Sequence, residues 1–218
     1  MEKYIIDGIE ILAKDFEGSI SGSYIAKELN RDCYNIKKIN FEKGDIVLDL
    51  GGNIGLFCIY LAKKFPEITI FTFEPLLINY ENLIYNIVEN AVKNVIPFYR
   101  AITGDGRRVQ IAAPKKTSGG ASLRFDRSYE GDPNLIYQSR VDSWTLDELI
   151  SILGIDKVKL LKMDVEGSEY EILPTCRSLF KVEYLSGEFH RNPKKDHERL
   201  IEYCRRFIAE EKMSIEIV

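Results

Sequence analysis

The 218-residue chain is poor in metal-binding and disulfide-forming side chains: it has two histidines, and none of its four cysteines forms a CxxC pair. A structural zinc site of the usual Cys/His kind needs about four such ligands at short spacing, so none is expected. Cys33, Cys58, Cys176 and Cys204 sit in apolar or helical patterns, where a free thiol behaves as a small hydrophobe and fits a reducing compartment. No segment approaches the roughly 18 apolar residues of a membrane span, and no apolar run follows a basic amino terminus. The chain therefore reads as cytoplasmic, with no membrane partner. Positive charge is also in short supply: the net charge is -4, and Lys115-Lys116, Lys194-Lys195 and Arg205-Arg206 are scattered pairs. Nucleic acid is not an expected partner, and a small molecule is.

What remains is ordinary globular material, 45% hydrophobic and 29% charged, enough for one sizeable core. From residue 44 onward, short β-branched runs alternate with longer patterns of helical spacing. That alternation predicts an α/β fold, a Rossmann-like, doubly wound and mostly parallel sheet over residues 44–218. The run Asp45-Ile46-Val47-Leu48-Asp49-Leu50 ends in glycines, and Ile54, Phe57, Cys58, Leu61, Ala62 and Phe65 then mark a helix. A second strand is expected at residues 68–73, a helix at 76–88, a third strand near 95–102, and further strands at 158–164 and 184–189. Thr145 is placed to cap a helix beginning at Leu146. Helices are also expected from about Ser168 and through Leu200 to Ile208, and residues 214–218 suit an edge strand. Between residues 103 and 143 the period breaks. Gly104-Asp105-Gly106 reads as a hairpin turn, and Thr117 to Gly120 and Gly131 to Pro133 as substrate-facing loop. Residues 1–43 are expected to form an N-terminal extension or cap, with a hairpin or short strand from Tyr4 to Leu12 around Asp7-Gly8 and helical spacing at 23–39.

Two constellations carry the chemistry. The first is Asp49-Leu50-Gly51-Gly52-Asn53-Ile54-Gly55, a glycine turn between strand and helix where backbone can approach a ligand closely. Counted from Gly51, Asn53 and Leu56 stand where the dinucleotide fingerprint requires glycine, so a nicotinamide cofactor is disfavoured. Asp49 beside the turn would repel a pyrophosphate but attract the sulfonium and ammonium of S-adenosylmethionine. Glu74 ends the next strand, the usual station of the carboxylate that accepts hydrogen bonds from ribose hydroxyls. The expected cofactor residues are Asp49, Gly51, Gly52, Asn53, Gly55 and Glu74, with Asp164 joining them.

The second constellation is Lys162-Met163-Asp164-Val165-Glu166-Gly167-Ser168-Glu169, with Asp164 at a strand tip facing the cleft. Glu166 and Glu169 are read equally well as partners for the positive end of the following helix. In Gly187-Glu188-Phe189-His190, Glu188 and His190 share a face, because side-chain direction repeats every two residues. Asp164, Glu188 and His190 are the catalytic candidates, with His190 as general base. No metal site is assigned, although the carboxylates of Asp164 and Glu188 suit a magnesium ion.

The chain resembles the FkbM family of class I methyltransferases through Val47 to Gly55, Phe73-Glu74-Pro75, Thr145 to Leu149 and Leu161 to Glu169. The resemblance implies S-adenosylmethionine as methyl donor, held by Asp49, Gly51, Asn53, Gly55 and Glu74. It also implies O-methylation of a hydroxyl on a sugar or other natural product. The family often has alanine where Gly52 stands, an exchange expected to be harmless. The usual class I sheet closes with an antiparallel hairpin, for which residues 209–218 are too short. Two rivals stand beside this reading: an NAD(P)-dependent oxidoreductase, and a binding module on the same fold that transfers nothing.

Overall fold

The computed structural model describes residues 1–114, 134–191 and 195–218. Ser118 and the expected loops at residues 117–120 and 131–133 lie outside the described residues.

Six strands form the central sheet: β3 (Ile46–Leu50), β4 (Thr69–Phe73), β5 (Val95–Phe98), β10 (Val158–Met163), β11 (Val182–Phe189) and β12 (Met213–Ile217). Their order is β12-β11-β10-β3-β4-β5, and every pairing within the sheet is parallel. The antiparallel closing hairpin of the usual class I sheet has no counterpart among the described residues, because β12 joins the edge parallel to β11. From β3 the chain winds outward through β4 and β5, and from β10 outward the other way through β11 and β12. The order reverses between β3 and β10, and such a reversal opens a crevice at the carboxyl ends of the two strands. Both arrive there as buried apolar runs, as central parallel strands do.

Helices α2 (Leu56–Lys64), α3 (Leu77–Glu89), α4 (Leu146–Ile152), α5 (Glu169–Thr175) and α6 (His197–Arg205) flank the sheet. Thr145 caps α4 in a reciprocal capping box: its Oγ1 accepts the Glu148 N–H at 3.1 Å and its own N–H donates to Glu148 Oε2 at 2.8 Å. Helix α6 ends at Arg205, so Phe207 and Ile208 of the expected helix lie beyond it.

The expectation of irregular structure at residues 103–143 is corrected in part. β7 (Val109–Pro114) and β8 (Leu135–Val141) pair antiparallel, and β6 (Ala101–Ile102) pairs parallel with β9 (Ser143–Trp144). Gly104-Asp105-Gly106 connects β6 to β7 without joining them as a hairpin, since each pairs elsewhere. The expected third strand is split at Tyr99-Arg100.

Residues 1–43 contain β1 (Glu2–Ile6) and β2 (Ile9–Ala13), which pair as a hairpin, and α1 (Ser21–Arg31). Asp7 and Gly8 have φ of 49° and 81°, the left-handed pair that a two-residue hairpin turn requires. Ile6, Ile11, Leu29, Tyr34 and Ile36 share one apolar cluster with Phe57, Ile59, Tyr60 and Leu61. This explains why α2 is buried on every side from Leu56 to Ala62, where the sequence pattern implies a single buried stripe.

Two asparagines of α3 and its carboxyl end dock this segment by imitating a neighbouring strand. Asn86 Oδ1 accepts the Lys14 N–H at 2.7 Å, while its Nδ2 donates to Lys14 O at 3.0 Å and Ile54 O at 2.8 Å. Asn90 exchanges the same pair of bonds with Leu12, at 3.1 and 2.6 Å. Asn86→Ala leaves buried backbone groups without partners, and about 2 kcal/mol of stability is expected to go with them. A urea melt measures it; a loss under about 0.5 kcal/mol, half a typical net hydrogen bond, would mean that the amide bears no load in docking the extension.

Candidate functional site

The turn after β3 is tied to the end of β4. The N–H groups of Gly51 and Gly52 both donate to Phe73 O, at 3.0 and 2.9 Å, and the Asn53 N–H donates to Glu74 Oε2 at 2.8 Å. Gly51 adopts φ 86°, and a Cβ there would lie 1.9 Å from the Asp164 carbonyl oxygen. The turn thus packs its backbone directly against the end of β10. Gly52 is equally tight: a Cβ would fall 2.2 Å from Thr72 Oγ1, which donates to Asp49 Oδ2 at 2.8 Å. The expectation that alanine is harmless here is therefore corrected, since the methyl would displace the Thr72 hydroxyl from Asp49.

Asp49 is fully buried and does not line the cleft. It lies behind the turn, with Oδ1 3.3 Å from Lys162 Nζ, an ion pair rather than a well-directed hydrogen bond. Lys162, 3% exposed, also donates to Gly51 O at 2.7 Å and stands 3.8 Å from Asp164 Oδ2. Burial pulls its pKa down, but the attraction of Asp49 and Asp164 outweighs burial, so the net shift is upward and the ammonium stays charged.

A cavity of about 340 Å³ opens over the carboxyl ends of β3 and β10. Gly51, Gly52, Asn53, Glu74, Asp164 and Glu188 line it, so six sequence-selected residues come together. Gly55, like Asp49 and His190, does not line it. Glu74 is 3% exposed, and its Oε1 accepts the Leu76 N–H at 2.8 Å. Burial raises its pKa to about 7, against the lowering effect of the Leu76 and Asn53 N–H groups. Phe73, Ile102 and Ile111 make the wall near Glu74 apolar.

The opposite end is acidic. Glu188 has its pKa pushed up to about 7, first by burial and then by Asp164 and Glu28. His190 sits just behind: Nδ1 is 3.0 Å from Glu169 Oε1, and Nε2 is 3.2 Å from Glu166 Oε2 and 4.0 Å from Glu188 Oε2. Burial lowers its pKa, but hydrogen bonds to Glu166 and Glu169 more than reverse this and carry it to about 10. Both ring nitrogens already face carboxylates at neutral pH, an arrangement unlike that of a resting general base.

Sequence reasoning passed over several wall residues, Lys162, Glu28 and Tyr34 among them. Lys162 is the clearest, and its signal was available: a lysine inside an apolar central strand must find a buried anion. Glu28 and Tyr34 come from the N-terminal segment, which carries no local motif.

Comparisons with known proteins add a family assignment. Residues 49–210 match the family model described as Methyltransferase FkbM domain. The chain is 28% identical over 179 residues to "Methyltransferase sdnD" of Sordaria araneosa, an alignment covering 71% of this chain and 68% of that protein. It is 26% identical over 173 residues to "31-O-demethyl-FK506 methyltransferase FkbM" of Streptomyces tacrolimicus, covering 69% of this chain and 66% of that one. Among solved structures, that titled "Crystal structure of WT Trm5b from Pyrococcus abyssi" superposes with TM-score 0.48 at 16% identity, covering 94% of this chain and 46% of that chain. None of the described helices is long and apolar enough to cross a membrane.

Proposed function

Because the chain belongs to the FkbM methyltransferase family, we propose that it moves the methyl group of S-adenosylmethionine to a hydroxyl of a sugar or other small natural product. The observation that carries this reading is one cavity with a carboxylate at each end and a glycine turn between them. Its volume, about 340 Å³, falls in the range of small-molecule sites. The donor set fits the cofactor's chemistry. Glu74 retains a carboxylate lone pair for ribose hydroxyls beyond those taken by Asn53, Leu76 and Asn79, and Phe73, Ile102 and Ile111 suit an adenine face. Asp164 faces the cationic end. Asp49 and Gly55 support the turn from behind rather than touching the cofactor.

Bound S-adenosylmethionine supplies an electrophilic methyl on a sulfonium. The chain's own part is alignment: Gly51, Gly52 and Asn53 hold the donor's amino-acid portion while Asp164 and Glu188 orient the acceptor hydroxyl. Glu188 receives the hydroxyl proton as the methyl is transferred. It is preferred to His190 because its carboxylate lines the cavity, whereas both His190 nitrogens are engaged by carboxylates. The name of the Streptomyces relative, which specifies a 31-O-demethyl compound, supports oxygen as the acceptor atom.

Calorimetry separates this reading from its rivals. S-adenosylhomocysteine is expected to bind and NAD not to, and Glu74→Gln is expected to weaken binding about tenfold by placing an amide donor against N–H groups. Transfer of labelled methyl to a hydroxylated acceptor then excludes a binding module without activity. Tight NAD binding with no S-adenosylhomocysteine binding would reverse the assignment.

A further inference from the structure

The acidic end of the cavity holds more ligating groups than an aligned methyl transfer requires. Asp164 follows β10, Glu166 lies in the turn after it, and His190 follows β11. Each offers one ligand atom, and the three atoms lie within 4.8 Å of one another. All three side chains are half-buried. The acidic residues alone would be an ordinary solvated cluster; the imidazole and what stands behind it make the difference.

Glu169, 0% exposed, brings Oε1 to 3.0 Å from His190 Nδ1, and its Oε2 has no hydrogen-bond partner among the described residues. A fully buried carboxylate fixed behind an imidazole, leaving the far nitrogen to face other ligands, is the brace found behind metal-bound histidines. Here that far nitrogen, Nε2, faces Glu166 at 3.2 Å and Glu188 at 4.0 Å. Asp164, Glu166 and Glu188 all line the cavity, together with Glu28. Lys162, a cation in the same wall, shares its Nζ among Asp49, Gly51 O and, at 3.8 Å, Asp164.

We propose that Asp164, Glu166 and His190 form a binding site for one divalent first-row transition ion, of the manganese or zinc type, which displaces the Nε2 proton of His190 to solvent as it binds. One imidazole nitrogen and two carboxylates suit such an ion better than magnesium or calcium, which prefer oxygen alone. Metal–ligand bonds of about 2.0–2.2 Å put two ligands at most about 4.4 Å apart, so the longest separation, up to 4.8 Å, closes by a few tenths of an ångström. This replaces the expectation of no metal and shifts the ligands from Asp164 and Glu188 to Asp164, Glu166 and His190.

The test uses the full chain stripped with EDTA, with Mn²⁺ as probe because manganese has little attraction for the four thiols. Titration followed by electron paramagnetic resonance, with no methyl donor or acceptor present, is expected to show one Mn²⁺ bound per chain. His190→Ala and Glu166→Gln should each weaken that binding at least about tenfold, and Glu169→Gln about tenfold through loss of the brace. Circular dichroism checks folding; should His190→Ala unfold, Glu166→Gln in the half-exposed turn decides. Absence of stoichiometric Mn²⁺ and Zn²⁺ uptake, or uptake unchanged in Glu166→Gln, overturns the site. Binding of S-adenosylhomocysteine to the same samples reports on the methyltransferase reading separately, so either can fail alone.

Discussion

Lys162→Met should lower the unfolding free energy by about 3–5 kcal/mol, the range seen when one member of a buried ion pair is removed. Methionine fills nearly the same volume, so the loss is electrostatic rather than a cavity. Asp49 is 0% exposed, and its Oδ1 has the Lys162 ammonium as its ionic partner at 3.3 Å, with only the Thr72 hydroxyl on the other oxygen. Stripped of that cation, the carboxylate must either bear burial as an unpaired anion or take up a proton, and both cost folding energy. The Gly51 carbonyl also loses its donor at 2.7 Å. Against a typical stability of about 5–15 kcal/mol this is a large fraction. Asp49→Asn combined with Lys162→Met should recover a good part of the loss, because an amide and a thioether leave no net charge behind. Urea melts of the three proteins check it, and a single-variant loss below about 1 kcal/mol would show that the pair barely contributes.

The same pair shows what the sequence makes visible. The parallel alternation from residue 44, the turn from Gly51 to Gly55, Glu74, and the Thr145 cap are legible because each is a local pattern: a period, a spacing or a cap. Asp49 is legible as an acid beside the turn, but its direction is not. Whether it faces a ligand or a lysine depends on a strand more than a hundred positions later. Burial of α2 on all sides escapes the helical period for a related reason, since its cover comes from residues 1–39. Pairing of β7 with β8 spans the period break between residues 103 and 143, where no hairpin signal joins the two strands. Asn86 and Asn90 read as polar interruptions in a helix, yet they satisfy the edge of β2 as a backbone would. His190 is a comparable case: strand alternation pairs it with Glu188, but Glu166 and Glu169, from the neighbouring turn and helix, set its charge.

Gly51→Ala is the second large effect, and it should fall on the cofactor more than on the fold. Two costs act together. The residue sits at φ 86°, a backbone region costing a non-glycine residue about 1–3 kcal/mol, and the new methyl would meet the Asp164 carbonyl oxygen at 1.9 Å. That neighbour is backbone at the tip of a central strand, so it cannot swing aside as a side chain could. Relief must come from the turn itself, which moves outward into the cavity it lines. Gly52 and Asn53 move with it, and the Asn53 N–H leaves Glu74. On the proposed reading, the donor's amino-acid portion and its ribose anchor are then both disturbed by one substitution, and binding of S-adenosylhomocysteine should weaken at least about a hundredfold, near 2.7 kcal/mol. Gly52→Ala provides the contrast. Its added methyl meets the Thr72 hydroxyl, which can rotate away at the cost of the bond to Asp49, so stability should fall while much of the affinity survives. Calorimetry beside urea melts for both variants separates the two losses. Near-normal affinity in Gly51→Ala would mean that the ligand does not rest on this turn.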